Sequence, residues 1–343
     1  MTEARESGAK AGRTLNAVDY RDKPHRRWGD TRNPRLSGAC FAPQQLGVWL
    51  GLGVLSLLWL LPVRVRDRLG SALGRLHYRF GRTHYRAARR NLRLCFPGRS
   101  AGDIDELLRE HSATQWCVWL DLPALWMRSP RALCERTDFH GLDTLQSRAA
   151  QGQATVLLVC HNVALEHAAQ ILKTGLPMLG YYRQFKSPVL DWLFYRLRSR
   201  NGGYLSERQA PLRALLRDVR DGWQLYQMID EDLGADAGEF APFFATDFCA
   251  VTGSARMCGV AGADAVPVCS GYDRARHRYW VSVLDPLVDF PTGSAASDAR
   301  ALMATLEALI SVSPAQFMWR QRMLHTRPDG AESPYFGIRS ATD

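Results

Sequence analysis

Five uncharged, largely apolar runs of strand length, Ala154 to Cys160, Leu176 to Tyr182, Trp223 to Ile229, Ala265 to Ser270 and Tyr279 to Leu284, alternate with amphipathic stretches over the second half of this chain. Continuous apolar runs of that length belong to strands covered on both faces, and strands interleaved with helices build a layered α/β domain around a central sheet. The last run follows Asp273 to His277 closely enough to suggest a hairpin with the strand before it. The expected fold is therefore α/β, with a mixed central sheet flanked by helices. At 343 residues and 46% hydrophobic, the chain can bury a full core, which excludes a disordered protein.

The first half has a different texture. Residues 1–40 are polar and rich in Arg and Gly, and read as a flexible basic arm. Their make-up does not match a secretory signal, which places its apolar stretch near the start and follows it with a small-residue cleavage site. Leu46 to Leu61 carry no charge, end at Pro62 and are followed by Arg64, Arg66 and Arg68. This run is shorter than the roughly 20 residues of a comfortable span. A tilted span, an in-plane anchor and a buried core helix all remain open, within a segment bounded at 41–63. Residues 64–150 form a basic and aromatic helical region. Within it, Leu69, Leu73, Leu76, Tyr78 and Phe80 alternate with Arg75, Arg79, Arg82, Arg86, Arg89, Arg90 and Arg93. That pattern suits an anionic membrane surface, with a solvated basic face as the plain alternative. The α/β domain is expected over 151–340.

A formal net charge of +10 points to an anionic partner: nucleic acid, acidic phospholipid or a phosphorylated substrate. The arginine-rich stretch carries no nucleic-acid-binding module, so no nucleic acid is expected. The eight cysteines form no CxxC pair and several lie inside apolar runs, so they read as reduced, buried side chains in a reducing compartment.

Chemistry concentrates at ATVLLVCHNVALEHAAQIL, where a buried strand hands over to a helix at His161-Asn162. Five residues along an ideal helix rotate by about 140°, so His161 and Glu166 meet only if His161 lies in the turn before the helix. There Glu166 can accept from one ring nitrogen while the other takes a proton from an attacking hydroxyl. His167 raises a metal reading, but neither HExxH nor HxxEH is present and no metal is expected.

Taken in order, HNVALE, YYRQFKSPVLDWLFYRLRSRNGG, IDEDLG, APFFATDFCAVTG and QFMWRQRMLHTRPDG resemble the lipid A late-acyltransferase family, with the resemblance running from about His161 to Tyr335. It implies a glycerolipid acyltransferase-like fold and acyl transfer from an acyl-carrier-protein thioester to a lipid hydroxyl. It needs no cofactor, and it places the enzyme at the bacterial inner membrane with the catalytic domain facing the cytoplasm. Carried over residue by residue, it implies His161 as general base with Glu166 as its partner, and Arg183 and Arg198 near acceptor phosphates or the developing oxyanion. Asp230 and Asp232 become site-shaping residues, Phe243, Phe244 and Gly253 the lining of the acyl-donor side, and Trp319, Arg320 and Arg322 a C-terminal segment holding anionic lipid or the fold.

Overall fold

The computed structural model describes residue 15 and residues 34–200, 203–207 and 212–338. Apart from Leu15 and residues 34–40, the segment read as a basic arm lies outside the described residues.

The helices are α1 (Leu46–Trp59), α2 (Val63–Phe80), α3 (Arg86–Cys95), α4 (Ala101–Asp121), α5 (Ala124–Met127), α6 (Pro130–Glu135), α7 (Leu142–Ala150), α8 (Leu165–Leu172), α9 (Pro188–Arg198), α10 (Leu212–Arg220), α11 (Gly253–Ala261) and α12 (Ala295–Val312). The strands are β1 (Thr137–His140), β2 (Thr155–Val159), β3 (Met178–Tyr182), β4 (Tyr204–Glu207), β5 (Gln224–Met228), β6 (Glu239–Phe243), β7 (Thr246–Ala250), β8 (Asp264–Asp273) and β9 (Arg278–Val283).

A seven-stranded sheet runs in the order β1-β9-β8-β2-β5-β3-β4, and β6 and β7 form a separate antiparallel hairpin. All neighbours in the large sheet are parallel except β8 and β9, which form the expected antiparallel hairpin. The sheet is thus mixed, as the hairpin expected of the last two runs implied. It also begins earlier than residue 151, because β1 pairs in parallel with β9 through Thr137↔Tyr279.

β2 is buried along its whole length, as a central parallel strand must be. Its residues alternate between the two faces: Val156 and Leu158 pack in the core with α10 and α12, and Leu157 and Val159 in the core with α7 and α8. The chain passes from β2 through α8 to β3 while β5 inserts between those strands, which leaves a crevice at their C-terminal ends where α/β sheets bind ligands. β3 and β5 pair only as far as Gly180↔Tyr226. Beyond that point β3 follows β4 and β5 follows β2, so the sheet splits.

The N-terminal helices are fastened to this sheet. Gly70 and Gly74 let α2 press directly onto α4; a Cβ at Gly74 would lie 2.5 Å from the Ala113 Cα, and one at Gly70 2.8 Å from the Cys117 Cα. Arg66 reaches the carbonyls of Trp59 and Leu61 and the carboxylate of Asp121. Asp121 also accepts from Arg136 at 3.0 Å and from the Tyr279 hydroxyl at 3.0 Å. Asp67 accepts from the Tyr272 hydroxyl at 2.6 Å, which ties α2 to β8.

None of α1 is buried, and Leu46, Leu50, Leu57 and the following Leu60 are each more than 60% exposed. At 14 residues it is about 21 Å long, short of the roughly 30 Å hydrocarbon layer. No helix among the described residues is long and apolar enough to cross a membrane, so the spanning alternative is not supported. The buried-core alternative fails on the same exposure. The eight cysteines are all buried and free.

Because α2 meets α4 through glycine, Gly74→Val should force the helices apart and cost about 1–3 kcal/mol or more of stability. A thermal melt lowered by several degrees relative to wild type checks it, and an unchanged melt refutes the close seam.

Candidate active site

The site is built on the loop between β2 and α8. The helix starts only at Leu165, so His161 stands in the turn before it, as the helical geometry required. The turn is locked from several directions. Asn162 accepts from the Ala164 amide at 2.9 Å and donates to the Ser270 hydroxyl at 3.1 Å. The Val163 amide donates to the Gln316 carbonyl at 2.9 Å, and the Met318 amide to the His161 carbonyl at 3.0 Å.

Asp230 holds the histidine itself. It stands just beyond β5, whose register with β2 is fixed by the Ile229 amide donating to the Val159 carbonyl at 3.0 Å. Its carboxylate takes His161 by both ends: Oδ2 accepts the backbone amide at 2.9 Å, and Oδ1 lies 2.8 Å from Nδ1. Asp230 is 1% exposed. Burial opposes a charged imidazole, but the Asp230 carboxylate, supported by Glu231, outweighs it and leaves the His161 pKa raised. With Nδ1 engaged by Asp230, Nε2 is left as the working nitrogen.

The expected hydrogen bond between His161 and Glu166 is absent here, because each side chain is bonded to another partner. Glu166 lies in the first turn of α8 and is occupied by Arg198, the last residue of α9. Oε2 accepts from Nη2 at 2.7 Å and from Nε at 3.1 Å, while Gln170 donates to Oε1 at 3.0 Å. Burial raises the Glu166 pKa, but Arg198 more than compensates and holds it low. Phe185 and Phe194 stack on each other at 4.9 Å, and Arg198 lies against this pair, 5.9 and 5.5 Å from the two ring centroids. Lys173, one turn beyond Gln170, donates to the Arg198 carbonyl, and burial brings its pKa down to about 7.

A cavity of about 660 Å³ opens where β3 and β5 part. His161, Glu166, Arg183, Arg198 and Gly253 all border it. Arg183 is exposed, just past the end of β3. One wall is the face of α8 that carries Glu166, Gln170 and Lys173; the opposite wall belongs to α11 and to neighbouring apolar residues. A cavity of this size with a few convergent polar groups is the usual form of a small-molecule site.

Several expected site residues lie elsewhere. Asp232 accepts from the Thr326 amide and hydroxyl at 2.7 and 2.6 Å, which fastens the C-terminal segment rather than lining the cavity. Phe244, at the tip of the β6–β7 hairpin, packs on Phe96 at 4.6 Å and on Phe243 at 4.8 Å. Arg320 lies 5.7 Å over the Tyr85 ring, beside the α2–α4 layer. Trp319 is wholly buried and Arg322 reaches the Ile338 carbonyl. His167 is buried and stacked on Tyr279 at 4.3 Å, away from the cavity. Sequence reasoning did not reach Gln170, Lys173, Tyr181, Tyr226 or Met257. The 166-170-173 spacing along α8 was a visible helical-face signal for the first two.

An α/β sheet with a cavity at its switch point, and a histidine fixed by a buried carboxylate beside it, defines a site suited to moving a proton during group transfer. The family model for bacterial lipid A biosynthesis acyltransferases matches residues 35–326, and the chain belongs to that family. The match takes in the N-terminal helices, well before His161. The chain is 30% identical over 298 residues to a lipid A biosynthesis acyltransferase of Haemophilus influenzae, which covers 87% of this chain and 93% of that protein. It is also 30% identical to the lipid A biosynthesis myristoyltransferase of Escherichia coli, over 85% of this chain and 91% of the relative. The lipid A biosynthesis lauroyltransferase of Escherichia coli is 30% identical over 89% of this chain and its own entire length. The protein is an acyltransferase of lipid A biosynthesis.

Replacing Asp230 by Asn removes the force that raises the His161 pKa and leaves the burial that lowers it. The ring should then titrate at lower pH, as read by its imidazole NMR resonances. Glu166→Gln should leave that titration in place but cost about 1–3 kcal/mol of stability by weakening its hold on the partly exposed Arg198. The reverse pattern would restore the His–Glu dyad.

Proposed function

We propose that this enzyme moves a fatty acyl chain from an acyl-carrier-protein thioester to a hydroxyl of a Kdo-lipid A precursor, with His161 as general base and Asp230 as its orienting partner. The supporting observation is the double hold of Asp230 on His161 beside a cavity at the sheet's switch point. Nε2 takes the proton of the acceptor hydroxyl, and the oxygen attacks the thioester carbonyl. The tetrahedral adduct then collapses, the carbon–sulfur bond breaks, and the imidazolium returns its proton to the departing thiolate. Asp230 stabilises the imidazolium formed between those steps. Arg183, exposed at the rim, suits an acceptor phosphate. Arg198 serves one step back, since its Nε and Nη2 are spent on Glu166.

The net charge of +10 favours both an acidic carrier protein and anionic lipid. The exposed leucines of α1 and the face of α2 bearing Val65, Leu76 and Phe80 among Arg68, Arg75 and Arg79 suit an in-plane anchor, apolar groups sunk and guanidinium groups at the headgroups. On this reading the enzyme rests on the cytoplasmic face of the inner membrane.

Membranes holding the wild-type protein should acylate Kdo-lipid A precursor from acyl-carrier-protein thioesters, and His161→Ala should slow transfer by about 10²–10⁴-fold. Folded wild-type protein that forms no product with any donor defeats this reading. Leu50→Asp combined with Leu57→Asp should abolish sedimentation with vesicles containing anionic lipid while leaving the melt unchanged. Undiminished sedimentation would remove α1 from the anchor.

A further inference from the structure

Two relatives of this chain carry names that differ in the acyl group transferred, myristoyl and lauroyl, so the length of the chain is a property that some part of such a protein must set. The cavity offers two walls of opposite character. Along α8 the lining side chains include Glu166, Gln170 and Lys173, already bound to one another or to Arg198. An alkyl chain laid there would strip remaining hydration from charged groups and return no hydrogen bond. The other wall is apolar: Tyr181, Ile229, Val251 and Leu212 lie around the cavity-facing edge of α11.

That edge is graded. At its first turn stand Gly253 and Ser254, small residues, and a Cβ placed on Gly253 would meet nothing nearer than the Val251 Cγ1 at 3.6 Å. One turn on stands Met257, the first long side chain on the edge. Its sulfur receives the Tyr181 hydroxyl at 3.7 Å, which joins α11 to β3 across the cavity. The next turn does not border the cavity: Val260 is exposed on the surface and Ala261 lies in the core. The open run along α11 therefore ends at Met257, about 6 Å along the helix axis from Gly253.

We propose that the acyl chain lies against α11 and that Met257, braced by Tyr181, is the stop against which its terminal carbons rest, so that this residue sets the chain length accepted. The proposal rests on the acyl-transfer reading above. It places the polar α8 wall outside the alkyl path. A methionine suits a stop, since its flexible thioether fills an irregular end and contacts both ring and chain.

The test uses the full chain in membranes with a ladder of saturated acyl-carrier-protein thioesters. Met257→Ala vacates the side chain beyond Cβ and should move the preferred donor toward greater length, by about fourfold in relative kcat/KM for each methylene newly buried. Met257→Phe should move it toward shorter donors, and Met257→Leu should leave it in place. Opposite shifts from Ala and Phe support the stop, while unchanged ladders from both overturn it. A fatty acid with a diazirine at its terminal carbons reads the position without turnover. Labelling of the peptide holding Met257 or of that holding Tyr181 supports the proposal, and labelling confined to α8 overturns it. Absent transfer by wild type would count against the acyl-transfer reading, and the photolabel would still locate the chain end.

Discussion

One carboxylate holds this site together. Asp230 grips His161 through both its backbone amide and its ring, and because β5 lies directly beside β2, that grip is also a clamp between the two central strands. A buried carboxylate needs partners, and here the partners are the catalytic candidate itself and the strand end that carries it. The histidine thereby gains a defined tautomer and a defined position from one interaction. The rest of the turn follows, through Asn162 to Ser270 and through the Gln316 and Met318 backbone, so that strands distant in sequence converge on one imidazole.

A second tier of buried acids does for the helices what Asp230 does for the site. Asp121 collects Arg66, Arg136 and Tyr279, and Asp67 collects Tyr272 and His277. Such pairs contribute little net stability over an apolar contact of the same shape, but breaking one leaves a charge stranded. Their effect here is one of register: α2 and α4 fit against the β8–β9 hairpin in one way.

The sequence reading reached the central strands because they are buried on both faces and so read as unbroken apolar runs. β1, with the sequence TDFH, and β4, with YLSE, lie at the sheet's edges and lack that signature. The place of His161 in the turn before α8 followed from helical geometry, but its partner did not. Asp230 is 69 residues away in sequence and reaches His161 only through the β2–β5 register, whereas Glu166 was nearby and of the right chemistry. Phe244, Asp232 and Arg320 show a related effect. Their motifs stand in the order of the family, yet order along a chain does not say which side of a hairpin or turn faces the cavity. Arg183 and Gly253 do reach it, Arg183 just past a strand that the apolar pattern had placed and Gly253 at the start of a helix that the pattern had not.

The mounting of α1 carries a mechanical consequence. Beyond its C-terminal end, Arg66 bridges the carbonyls of Trp59, the last residue of the helix, and Leu61 to Asp121; at its start, Gln45 accepts from Ser187 and Trp49 meets Trp192 of α9. α9 in turn ends in Arg198, beside the cavity. An apolar helix fastened at both ends is an outrigger rather than a tether, and it cannot let the body ride up or down. If α1 floats in a lipid leaflet, the height of His161 above that leaflet is a constant of the fold. A lipid acceptor must then bring its hydroxyl up to that fixed height, which makes the distance between headgroup and reacting oxygen a filter on substrates that acts before any pocket contact.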